Sequence, residues 1–129
     1  MLFQAMDAAA SGLTAERLRL NIIADNLANV QTTQTAGGKP FRALMAEFQS
    51  VPLSAGGGVV VTGILQAGGT LPLSYAPGTP GANAQGFVSG SNVNPTSQMV
   101  DMVAANQAYN ADAAMFSDAV KEGQAALNI

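Results

Sequence analysis

The sequence predicts a mainly α fold with a small β element. Two long terminal helices form an antiparallel coiled-coil pair, joined by a Gly/Pro-rich, β-like middle segment. Three observations carry this reading. Apolar residues recur at a seven-residue spacing at both ends of the chain. Residues 48–100 hold ten of the 14 glycines and five of the six prolines. The same stretch contains no charged residue. The chain therefore divides into an N-terminal coiled-coil helix (1–35), a loop and small β-rich middle region (36–91), and a C-terminal coiled-coil helix (92–129).

The first helix is expected over residues 2–30. Met6, Leu13, Leu20 and Leu27 recur every seven residues, and Ile23 and Val30 extend the stripe. Ala9, Ala10 and Ala24 allow close approach beside it. Gly12 is a weak point, costing about 1 kcal/mol relative to Ala in a helix interior. Taken alone, such a stripe is ordinarily an amphipathic helix packed on its own domain. Two stripes of matched length at opposite ends favour a pair. Arg17 and Arg19 lie midway along the first helix and Asp112 midway along the second, so an antiparallel pair would bring them together. An exposed ion pair of this kind is worth about 0–1 kcal/mol and acts on register more than on stability.

The helix is expected to stop near Asn29, because a polar, Thr-containing stretch and the turn cluster Gly37-Gly38-Lys39-Pro40 follow. The sequence FRALMAEF (41–48) suits a short helix or a strand, and its periodicity does not decide between them. Beyond it, short apolar runs at 59–62, 64–65, 71–75 and 87–88 read as β-strands. Glycine and proline at 56–58, 68–69 and 77–81 separate them. A flexible Gly-rich insert is the plain alternative. Against it, 53 uncharged residues make a poor solvated surface for a free monomer, which favours burial in an assembly.

The last helix has a marked start. Asn94 is suited to cap it, since its side-chain oxygen can accept from a free N–H of the first turn. Pro95 fits the first helical position, where the missing donor costs nothing. Met99, Met102, Asn106, Tyr109, Ala113, Phe116, Val120, Gly123 and Leu127 then trace one narrow seam. A helix of roughly 30 residues is about 45 Å long. A chain of 13.0 kDa has no globular core that wide, so the helix needs a partner along its length.

Composition sets the remaining bounds. Of the 129 residues 24 are Ala, there is no Trp, and aromatic residues are 5%, so a lone monomer would bury a thin core. Net charge is −3 with only five Lys or Arg, too few for a nucleic-acid footprint. There is no Cys and no His, which removes disulfides, the thiol nucleophile, the commonest general base and most zinc sites. Gly38-Lys39-Pro40 lacks the spacing of a phosphate loop. Asp101, Asp112 and Asp118 read as a solvated helix face, and Asp7, Glu16 and Asp25 likewise. No enzymatic function, cofactor or metal is expected. The start, MLFQAMDAAASG, has neither a basic region nor a continuous apolar run, so no cleavable secretory signal is expected. No apolar stretch of about 18 residues is present to span a bilayer.

Three stretches resemble one family. SGLTAERLRLNIIADNLANVQTTQT (11–35) is similar to the N-terminal signature of the rod and hook proteins of the bacterial flagellum, above all in ADNLANV (24–30) followed by Thr32 and Thr33. NVNPTSQMVDMVAANQAYNAD (92–112) is similar to their C-terminal signature. YAPGTPGANAQGFVSGSNVNP (75–95) resembles the segment that leads into it in the short proximal rod members. The motif residues are Asp25, Asn26, Ala28, Asn29, Asn92, Asn94 and Pro95. Asp25 and Leu27 stand where the family often has Asn and Ile, and Gln31 where it often has Asn.

The resemblance to flagellar basal-body rod proteins implies a structural role. The chain would be exported unfolded, without a cleaved signal peptide, through the flagellar type III apparatus. It would polymerise with copies of itself and with other rod proteins into the periplasmic drive shaft that carries motor torque to the hook. The helices would surround the export channel, with the middle segment outside them. The alternative is a small secreted helical hairpin, an export substrate or adaptor acting as a soluble dimer.

Overall fold

The computed structural model describes residues 2–53 and 56–128. Helix α1 spans Leu2–Ala28 and helix α2 spans Pro95–Leu127. At 27 and 33 residues they are about 40 Å and 50 Å long. They lie side by side and antiparallel. Leu2 meets Gly123, Gly12 meets Asp112, and Asn26 meets Gln98. Helix α1 ends on the residue before Asn29, and α2 begins where Asn94 and Pro95 were expected to start it.

Between the helices, among the described residues, stand two antiparallel hairpins. The larger pairs β1 (Leu44–Leu53) with β2 (Gly56–Gln66), in a register that runs from Leu44 opposite Gln66 to Leu53 opposite Gly56. The register shifts between Glu47 and Phe48, leaving Thr62 as an extra residue on β2. The Thr62 hydroxyl donates to the Glu47 carbonyl at 3.3 Å and closes that bulge. The smaller hairpin pairs β3 (Leu73–Tyr75) with β4 (Phe87–Ser89). Tyr75 and Phe87 stack edge to face across it, ring centroids 5.4 Å apart. Gly86 sits at φ 85° beside them, where a Cβ would stand 2.9 Å from the Tyr75 ring, so both backbone and space require glycine.

Helix α1 is buried on two adjacent sides. One faces α2 through Gly12 and Asn26. The other faces β2, where Ser11, Thr14, Ala15 and Leu18 line a crevice with Val59, Val60 and Val61. The Ser11 hydroxyl donates to the Ala8 carbonyl at 2.7 Å and accepts from the Val59 N–H at 3.1 Å, which holds the hairpin to the helix. The core is as thin as the composition requires. Among the described residues, five of the nine buried apolar residues are alanine: Ala9, Ala15, Ala43, Ala105 and Ala119. Among the described residues no helix is long and apolar enough to cross a membrane.

Several expectations need correction. Arg17 and Arg19 do not meet Asp112. Arg19 pairs instead with Glu16 at 3.5 Å, one turn away on its own helix. Asp112 is not on a solvated face: it is half-buried against Gly12, so Gly12 makes room for the Asp112 side chain rather than being a mere weak point. Glu16 is also half-buried, with one carboxylate oxygen fully enclosed. The glycines at 56–58 do not break a strand but belong to β2, and the runs at 59–62 and 64–65 are one strand across Gly63. The run at 71–75 contributes strand only from Leu73.

Candidate assembly surfaces and the polar junction

The α2 side of the helix contact repeats every seven residues, as Gln98, Ala105, Asp112 and Ala119. Gln98 bonds to Asn26, Asp112 abuts Gly12, and Ala105 and Ala119 are buried. Between them fall Met102, Tyr109 and Phe116, all half-buried, with Val120 half-buried alongside. One line of the expected seam, Met102, Tyr109 and Phe116, thus flanks the contact line on α2. The other is displaced by one residue, since Met99 and Leu127 are 58% and 87% exposed. On α1, Ile23 is buried, while Met6, Leu13, Leu20 and Leu27 are half-buried, as is Val30 beyond the helix end. Small residues at the contact bring the backbones close and leave the larger side chains straddling it.

A short apolar patch near the start of α2 lies open on the side turned away from α1. Val100 is 64% exposed and Val103 is 58% exposed, one turn apart and next to Met99. The base of the large hairpin is open on both faces. Ile64 and Leu65, successive residues that point to opposite sides, are each 50% exposed, and Met45 opposite Leu65 is 51% exposed.

Where α1, the hairpin and α2 converge, three asparagines form a polar junction. Asn26 is 1% exposed. Its Oδ1 accepts from the Leu44 N–H at 2.8 Å, and its Nδ2 donates to the Leu44 carbonyl at 2.9 Å and to Gln98 Oε1 at 2.9 Å. The carboxamide therefore pairs with β1 as a neighbouring strand would, and with α2 as well. Burying an amide without partners costs about 1–3 kcal/mol, so these bonds are what make the position tenable. Asn92 holds the other side of the hairpin root. Its Oδ1 accepts from the Ala43 N–H at 2.7 Å, and its Nδ2 donates to the Ala67 carbonyl at 3.2 Å. Arg42 adds donations to the Ala67 and Gly69 carbonyls at 3.2 and 3.1 Å. Asn94 caps α2 by accepting from the Ser97 N–H at 3.1 Å, with Pro95 following it in the first turn.

Asn29 closes α1: its Nδ2 donates to the Asp25 carbonyl at 2.9 Å and its Oδ1 accepts from the Thr32 hydroxyl at 3.1 Å. Asp25 and Ala28 are exposed. Ser11, Arg42 and Gln98 share in holding these elements together and were not singled out from the sequence. A polar residue in a helix or turn signals neither its partner nor its burial. Among the described residues no group of three or more His, Cys, Asp or Glu side chains is placed to hold a metal ion.

Comparison with known proteins places both ends of the chain. Residues 6–34 match the family model described as flagella basal body rod protein, and residues 84–129 match that of the flagellar basal body rod FlgEFG protein C-terminal region. Similar curated proteins are each described as flagellar basal-body rod protein FlgC. The one from Escherichia coli O6:H1 is 38% identical over 113 residues, covering 86% of this chain and 84% of the relative. The Bacillus subtilis protein is 35% identical, covering 85% of each. The Borreliella burgdorferi protein is 32% identical, covering 99% of this chain and 97% of the relative.

Proposed function

The chain belongs to the FlgC family of flagellar basal-body rod proteins and is a structural subunit of the rod, and from that premise we propose that it assembles through the apolar surfaces its own fold leaves open. One observation carries the proposal. The outward face of α2 presents Val100 and Val103 to solvent at 64% and 58% exposure, along a helix too long for its own core. Contiguous apolar surface of this kind marks a contact with another protein. At about 25 cal/mol per Å², covering such side chains in each of many subunits favours polymerisation strongly.

In this reading the terminal helices pack with those of neighbouring copies and of other rod proteins as a coiled-coil layer, and the half-buried Leu13, Leu20 and Phe116 contribute to that packing. The two hairpins form the outer layer, in contact with adjacent subunits. The finished rod transmits motor torque to the hook across the periplasm and surrounds the export channel. The chain reaches the rod through the flagellar type III apparatus. Nothing in the role calls for a catalytic group or a cofactor.

The test is complementation of a strain lacking the chain. The parent sequence restores swimming and completed rods. Val103→Asp folds, because Val103 is exposed in the monomer, but leaves rods incomplete. Normal swimming in the deleted strain would overturn the function, and normal swimming with Val103→Asp would overturn the assigned surface.

A further inference from the structure

We propose that Asn26 is a positioning residue that couples the pairing of the terminal helices to the placement of the large hairpin. The argument rests on where its hydrogen bonds go. Among the described residues Asn26 is the largest fully buried side chain, and its single carboxamide serves two elements at once. Nδ2 divides its two hydrogens between the Leu44 carbonyl of β1 and the Gln98 Oε1 of α2, each at 2.9 Å, while Oδ1 accepts from the Leu44 N–H at 2.8 Å. When α2 lies on α1, water is excluded and all three bonds are retained. When α2 lifts, Nδ2 loses one acceptor and water competes for the carboxamide and for both polar groups of Leu44. Among the described residues the hairpin has one other polar hold on α1, the solvent-exposed bond from the Val59 N–H to Ser11. Seating α2 and fixing the root of β1 are therefore linked. The hairpin takes its final angle only where the helix pair has formed, which lets helix packing order the outer segment.

The coupling is internal to one chain and is tested on the isolated full-length protein, independently of rod assembly. Amide hydrogen exchange is followed by NMR in the parent and three variants. Gln98→Leu removes the α2 acceptor and leaves both Leu44 bonds in place. It is expected to raise exchange at the Leu44 N–H about fivefold, the worth of one ordinary hydrogen bond, with the Ser97 N–H under its Asn94 cap unchanged. Asn26→Asp keeps the acceptor for the Leu44 N–H but loses both donations, and raises Leu44 exchange at least as much. Gln98→Glu retains an acceptor in the first turns of α2, where negative charge is favoured, and keeps the parental rate. An unchanged Leu44 rate in Gln98→Leu would overturn the coupling. So would an equal rise in Gln98→Glu, or a uniform rise at all amides.

Discussion

Replacing Gly12 with alanine probes its contact with Asp112 across the two helices. A Cβ at Gly12 would overlap the Asp112 carboxylate and lie 2.8 Å from its Cγ. In a free helix the change would stabilise by about 1 kcal/mol. Here the Asp112 side chain must leave its rotamer, at a cost of about 0.5–1.5 kcal/mol. The two effects oppose each other, so Gly12→Ala alone should fall within about 0.5 kcal/mol of the parent, well short of the helix-propensity gain. In an Asp112→Ala background the obstruction is gone, and the same substitution should recover about 1 kcal/mol. The double-mutant cycle should thus show coupling of about 1 kcal/mol. Urea denaturation of the four chains, followed by far-ultraviolet circular dichroism, measures it. Equal stabilisation by Gly12→Ala in both backgrounds would refute the placement of Asp112 against Gly12.

The large hairpin offers a graded series. A Cβ at Gly57 meets nothing within 4 Å, so Gly57→Lys should leave the swimming halo near parental size, whereas Val60→Lys and Val61→Lys, in the crevice against α1, should shrink it. At Gly58 a Cβ would lie 2.6 Å from Leu53 Cδ1 and 3.2 Å from the Ser11 hydroxyl, so Gly58→Ala should lower stability by about 1–3 kcal/mol in the same urea assay. Asn94→Ala removes the α2 cap and should cost about 1 kcal/mol. Asn92→Ala leaves the Ala43 N–H without its side-chain acceptor and should cost about 1–3 kcal/mol.

Much of the helical frame was legible because its signals are local. The Asn94 cap, Pro95 in the first turn and the Thr-rich stretch after Asn29 each act within a few residues. The antiparallel pairing also followed from two stripes of matched length. The contact line of α2 was read only in part, for a physical reason. Gln98, Ala105, Asp112 and Ala119 face α1, and none of them carries the bulk that a hydrophobic pattern registers. Met99, one residue away, does carry it and is exposed. The same close packing sets Gly12 opposite Asp112, five residues from Arg17, which is why the expected ion pair does not form.

Strand β1 was ambiguous because FRALMAEF fits both periods, and its pairing with β2 is a long-range choice. The glycines at the start of β2 looked like a break, yet Gly58 is buried where only glycine avoids Leu53 and Ser11. The asparagines could be recognised from the family motif. What Asn26 and Asn92 do could not, since their partners at Leu44, Gln98, Ala43 and Ala67 lie far away in the sequence.

Electron cryomicroscopy of purified basal bodies, at a resolution that shows side chains, tests the central claim most directly. The account predicts this chain within the rod, its α1–α2 pair formed and the Val100–Val103 face of α2 covered by a neighbouring subunit. A rod in which that face lies open to water while the subunits join through other surfaces would contradict it.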